Sequence, residues 1–128
     1  MPHLTIEYSE NLESYLDGDR FLQAMAEAME RTGVFRTGGV RIRAYPAGRF
    51  HVADGHEDNG FMALTLRIAP GRTREQKTSV GQSLLATAGE WLEKPLAEGH
   101  ISLSVEVSEL DPDFRWNVNS IHERLSSR

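Results

Sequence analysis

The chain has 128 residues, 39% hydrophobic and 26% charged, the makeup of a folded domain rather than of a disordered segment. Its formal net charge of -5 excludes a general electrostatic attraction to nucleic acid, so any anionic ligand has to be drawn by a local cluster of arginines. No cysteine is present, which excludes disulfides, thiolate metal sites and cysteine nucleophiles together and suits a reducing compartment.

From the amino end, Leu4, Ile6 and Tyr8 alternate with Thr5 and Glu7, which predicts a strand over 2–8 that starts on Pro2. His3 and Glu7 interrupt this end where a secretion signal would need an apolar core, and no run approaches transmembrane length. A single cytoplasmic domain over 1–128, with no membrane association, is therefore expected. Residues 9–19 read as a polar connection. Over 19–31 the period becomes helical: Phe21, Leu22, Met25, Ala28 and Met29 share one stripe, and Gly33 is placed to end the helix.

A second strand is expected over 38–45, where Val40, Ile42 and Ala44 alternate with Arg41, Arg43 and Tyr45. The stretch 46–60 is rich in turn residues, with a short strand expected at 49–53. A third strand spans 61–68. Thr73 and Gln76 then form the sequence signature of a capping box. The helix it opens has a buried stripe of Leu84, Ala88, Trp91 and Leu92, and Pro95 and Gly99 close it. A fourth strand is expected over 100–110, and the tail holds one short helical turn within 118–125.

Strand, helix, strand, repeated once, defines an α/β (α+β) domain of two βαβ units. These form a four-stranded sheet with two helices on one face. Leu4-Thr5-Ile6 and Leu64-Thr65-Leu66 repeat a small pattern, as two related halves would. The other face of such a sheet is uncovered, and apolar residues there would favour self-association.

Arg41 and Arg43, two apart on a strand, put both guanidinium groups on one face. Like charges so placed repel unless an anion sits among them, and planar bidentate donors suit a carboxylate. The plain alternative is a solvated strand face. Arg72 precedes the capped helix, where the dipole and free N–H groups already attract anions; a cation there serves a ligand better than it serves the helix. The plain alternative is a surface arginine.

His51, Asp54, His56, Glu57 and Asp58 gather in one turn-rich loop. No helical metal-binding spacing such as HExxH occurs, so a hydrogen-bonded loop is expected and no metal. G-x-S-x-G and glycine-rich phosphate loops are absent as well, and no cofactor is called for. Pro2 is different. If Met1 is removed, Pro2 becomes a secondary amine on a rigid ring. Burial and neighbouring arginines would pull its pKa below the ordinary α-amino range of about 7.7–8.0, leaving a neutral general base. If Met1 is retained, the nitrogen is an amide without basicity, and Pro2 is merely a residue at a strand's start.

Taken in order, MPHLTIEYSENL, GVFRTGGVRIRAY, VADGHED and LTLRIAPGRT, with Asn119-Ser120-Ile121-His122 in the tail, resemble the 5-carboxymethyl-2-hydroxymuconate Δ-isomerase family of the tautomerase superfamily. The resemblance covers nearly the whole chain. It implies two βαβ units assembled as a homotrimer, with sites near subunit boundaries and no cofactor. It further implies Pro2 as the catalytic base and Arg41 and Arg72 as substrate-binding arginines; Arg43 and His51 are added on strand geometry and loop position. The implied reaction is the ketonisation of a tricarboxylate dienol produced in homoprotocatechuate catabolism. Two other readings use the same residues: a related tautomerase acting on a phenylpyruvate-like acid, and a non-catalytic βαβ module for ligand binding or oligomerisation.

Overall fold

The alternation in the first strand has a direct structural result: Leu4, Ile6 and Tyr8 point into a core, while His3, Thr5 and Glu7 point away. The computed structural model describes residues 2–126; Met1, Ser127 and Arg128 lie outside the described residues. Its strands are β1 (His3–Ser9), β2 (Arg41–Ala47), β3 (Gly60–Ile68) and β4 (Ile101–Glu109). They lie in the order β2-β1-β3-β4, with β1 parallel to β2, β3 parallel to β4, and the two central strands antiparallel.

Each parallel pair is joined through helix. Between β1 and β2 comes α1 (Gly18–Arg31), and between β3 and β4 come α2 (Arg74–Trp91) and α3 (Glu93–Ala97). Phe21, Met25 and Met29 of α1 and Val80, Leu84 and Ala88 of α2 are buried with the inward residues of β1 and β3 in one core. Side chains of this kind contribute roughly 1.5–3 kcal/mol each on full burial, which fixes the helices to that face. The two helices also meet each other, through Phe21 and Trp91 edge to face at 5.7 Å and through the Ser83 hydroxyl, which donates to the Ala28 carbonyl at 3.1 Å.

The capping box forms as the sequence predicts: the Gln76 N–H donates to Thr73 Oγ1 at 3.1 Å, and the Thr73 N–H donates to Gln76 Oε1 at 2.9 Å. Gly33 follows α1 with φ +69°, a conformation that closes a helix and that glycine adopts without strain. Four expectations are corrected. No short strand forms at 49–53, where Ala53 and Gly55 take φ of 52° and 81° and turn the chain. Residues 9–19 are not all irregular, because Glu10–Tyr15 winds into a 3-10 turn that buries Leu12. The second helix does not run unbroken to Pro95: it breaks at Leu92, since proline has no N–H for the carbonyl four residues back and its ring crowds that carbonyl. Finally, β2 runs on through Pro46, which an edge strand tolerates because one of its sides needs no donor.

The sheet's open face is polar rather than apolar. It carries His3, Thr5 and Glu7 beside Arg41, Arg43 and Tyr45 on one side and Thr65 and Arg67 on the other. The most exposed large apolar side chains lie in the tail, where Phe114, Trp116 and Val118 are 75%, 83% and 97% exposed. Among the described residues, no helix is long and apolar enough to cross a membrane.

Candidate active site

Three chain segments meet at the end of the sheet where β1 starts. The Pro2 carbonyl accepts the Arg41 N–H at 3.1 Å, so the parallel ladder begins one residue ahead of β1 and pins Pro2 in place. Pro2 is buried. Gly38 and Gly39 form a 3-10 turn that leads into β2, and Gly39 lies against Pro2. A Cβ on Gly39 would sit 3.5 Å from Pro2 Cδ, the carbon next to the ring nitrogen.

The third segment is the tail. Helix α4 (Ser120–Ser126) is capped by Asn119, whose Oδ1 accepts the N–H groups of Ile121 at 2.9 Å and His122 at 3.1 Å. The amide of the same Asn119 donates to the Gly38 carbonyl at 3.1 Å. This docks α4 on the glycine pair and lays the His122 ring across it, with Nδ1 2.7 Å from a Cβ built on Gly38 and Nε2 3.3 Å from one built on Gly39.

Because β3 runs antiparallel to β1, its last residues and Arg72 come to the same end of the sheet. Arg72 is half-buried; its Nη1 donates to the Ala69 carbonyl at 3.1 Å, and its guanidinium lies 4.9 Å from the centre of the Phe35 ring. Stacking on one face leaves its edge donors for a planar anion. Arg41 is held by its Nη1, which donates to the Gly39 carbonyl at 2.9 Å. Arg43 is opposite Thr5 on the same open face, and its Nη1 lies 3.1 Å from His3 Nδ1.

That contact requires His3 to be neutral and to accept through Nδ1. Burial first, then the charges of Arg43, Arg41, Arg67 and Arg115, hold its pKa below the ordinary histidine value of 6.5. Cationic residues thus surround the first residues of β1, and two of them, Arg67 and Arg115, are not marked by any sequence pattern.

Of the residues expected from sequence, Pro2, Arg41, Arg43 and Arg72 come to one end of the sheet. His51 does not. It is exposed in the loop between β2 and β3 and packs on Gly55, a strand's length or about 20 Å from Pro2. The same loop brings ligand atoms of His56, Asp58 and His100 within 4.8 Å of one another. Their hydrogen bonds are ill suited to a metal: His56 Nδ1 accepts the Asp58 N–H at 3.1 Å, which leaves the proton on its other nitrogen. Only His100, whose Nδ1 faces Asn59 Oδ1 at 2.9 Å, keeps a free ring lone pair.

The segments that carry the family resemblance include Phe35, the glycine pair, Asn119 and His122, but the sequence assigns them no role, and the glycine pair is not legible there as a docking surface. A Gly-Gly doublet before a strand and an Asn at a helix cap were visible signals, but their meeting is a contact between residues about 80 positions apart.

Two βαβ units whose central strands pair antiparallel define an α+β fold that other solved structures share. A fused 4-OT protein described as a symmetric trimer shares it with a TM-score of 0.67, covering 91% of this chain and 93% of its own at 17% identity. The chain belongs to the 5-carboxymethyl-2-hydroxymuconate isomerase family, whose model matches residues 2–125. A crystal structure of a 5-carboxymethyl-2-hydroxymuconate isomerase from Deinococcus radiodurans R1 is 33% identical with a TM-score of 0.89, covering 97% of this chain and 93% of that one. The 5-carboxymethyl-2-hydroxymuconate Delta-isomerase of Escherichia coli is 27% identical over 122 residues, 95% of this chain and 97% of its own.

Proposed function

We propose that the protein ketonises 5-carboxymethyl-2-hydroxymuconate with Pro2 as general base, acting as a single cytoplasmic domain in homoprotocatechuate catabolism. The observation that carries this reading is the coincidence of two facts: the family match begins at residue 2, and Pro2 is buried where Gly39, Arg41 and His122 converge.

With Met1 removed, Pro2 is a secondary amine in a buried position facing a cationic field. Both influences disfavour the ammonium form, so the amine is neutral and basic at neutral pH. Its lone pair takes the proton of the substrate's 2-hydroxyl. The resulting dienolate spreads negative charge along the conjugated chain, and the proton returns to carbon to leave an unsaturated ketone. No proton is gained or lost overall. Arg72 binds one carboxylate through the guanidinium edge that stacking on Phe35 leaves open, and Arg41 binds another. Both favour the dienolate more than the neutral dienol, which is where a catalytic contribution arises. Arg43 supports the same field through its contact with His3.

Arg41 lies on the open sheet face while Pro2 lies against the glycine turn, and this separation fits a site completed between subunits. A homotrimer, as described for the fused 4-OT protein, is the assembly we assign. His51 joins the site only if a neighbouring copy supplies it. The partner is thus a small polycarboxylate, with neither nucleic acid nor membrane involved.

Intact mass establishes whether Pro2 is free, and ultraviolet absorbance then follows ketonisation by wild type and Pro2→Ala. Loss of roughly 10²–10⁴-fold in the variant is expected for removal of a general base. Wild type without activity, or a fully active variant, refutes the reading; better turnover of a phenylpyruvate-like monocarboxylate reassigns the substrate.

A further inference from the structure

The tail helix has no part in the scheme above, yet it carries the one imidazole that faces the same point as Pro2. His122 Nε2 and Pro2 Cδ both lie close to the Cβ position of Gly39, at 3.3 and 3.5 Å. This placement is held from both ends. Asn119 caps α4 and grips the Gly38 carbonyl, and Arg41 grips the Gly39 carbonyl. A surface helix seven residues long has little stability of its own, so its ordered seat depends on these contacts.

The geometry points to His122 as a positioning residue for Pro2, an inference that rests on the reading of Pro2 as the base. A neutral secondary amine has one N–H and one lone pair, and a free pyrrolidine can direct the lone pair to either side. If the N–H donates to His122 Nε2, the lone pair is left facing the substrate. When Pro2 has taken the substrate proton, the ammonium carries two N–H groups. One stays on His122 and the other is the proton delivered to carbon, so His122 neither gains nor loses a proton. The role needs the tautomer of His122 with its proton on Nδ1.

Packing alone would not distinguish an acceptor from an apolar group of similar size, and that difference is the test. His122→Leu removes the acceptor; His122→Gln places an amide oxygen near the position of Nε2. With Pro2 confirmed free by intact mass, kcat is expected to fall about tenfold in His122→Leu, the effect of one lost hydrogen bond, while KM moves less than about twofold. His122→Gln is expected to retain kcat within about threefold. Equal kcat in the two variants, whether intact or equally reduced, overturns the proposal.

A second measurement does not depend on the substrate. In protein labelled with 15N-proline, the Pro2 amine resonance is expected to move in His122→Leu and return towards its wild-type position in His122→Gln. A Pro2 resonance indifferent to both substitutions overturns the pairing even if the variants lose activity. Should wild type with a free Pro2 fail to ketonise the substrate, the function assigned to Pro2 fails separately, and this resonance alone decides whether His122 holds the amine.

Discussion

Gly38→Ala is the sharpest single perturbation of the site, because it adds one carbon where the tail helix rests. The new Cβ would stand 2.7 Å from His122 Nδ1 and 3.3 Å from His122 Cα. Favourable contacts between heavy atoms lie near 3.5–4.0 Å, so the ring has to retreat by roughly 1 Å. Rotating the side chain relieves the first contact but not the second, which is to backbone; α4 itself has to lift. Its anchor, the Asn119 amide on the Gly38 carbonyl, is then strained or lost, at a cost of about 1 kcal/mol. For a domain of this size that is a fall of a few degrees in Tm. The retreat also carries His122 away from Pro2, so kcat is expected to drop about tenfold, as for removal of the imidazole acceptor. Gly81→Ala is the control: it lies inside α2 with its nearest neighbour, Val107 Cγ2, at 3.9 Å, and alanine there should raise stability by up to about 1 kcal/mol without touching activity. Thermal melts and ultraviolet kinetics on the two variants decide the matter. A Gly38→Ala protein with wild-type Tm and wild-type kcat refutes the docking of α4 on the glycine pair.

Two other outcomes are expected. Arg72→Lys keeps the charge but loses the stacked, planar donor set over Phe35, so KM for the tricarboxylate should rise roughly tenfold; steady-state kinetics showing an unchanged KM would remove Arg72 from carboxylate binding. His3, whose folded pKa is depressed, contributes stability that is present above 6.5 and lost as pH falls through its folded value. His3→Gln keeps an acceptor for Arg43 without a titration, so its Tm should fall less than that of wild type between pH 7 and pH 5; parallel curves would show that His3 does not govern this loss.

How far the sequence discloses this molecule depends on the range of the interaction. Alternation in β1, β3 and β4, the stripe of α1 and the Thr73–Gln76 cap are each settled within a few residues, and each is found. Pro95 was legible as a stop, but the break it imposes falls three residues earlier, because the clash is with the preceding turn. The polar character of the open face was also written in the sequence, since Arg41, Arg43 and Tyr45 alternate with the inward residues. It could be assigned to a face only once register was known. A catalytic role for Pro2 is suggested only by the family resemblance, as no pattern distinguishes a catalytic proline from a strand-start proline. His122 belongs to a tail segment that carries the resemblance, but its meeting with Gly38 is out of reach, because nothing near it in sequence points there. His51 stands out in sequence only by its loop, and that loop belongs to the far end of the sheet.

The pairing of the two central strands holds one more consequence. Leu4, Thr5 and Ile6 lie opposite Leu66, Thr65 and Leu64, so the repeated tripeptides cross at Thr5 and Thr65 and each half of the fold mirrors the other by a half-turn. The residue that stands where Pro2 stands, carried over to the second half by the same offset, is Met62, a buried residue in mid-strand. Its nitrogen is bonded on both sides and can never be an amine. A chain has one beginning however often its architecture repeats. On the proposed chemistry, then, only one half can act as the base, and the other is released from that duty to serve as scaffold.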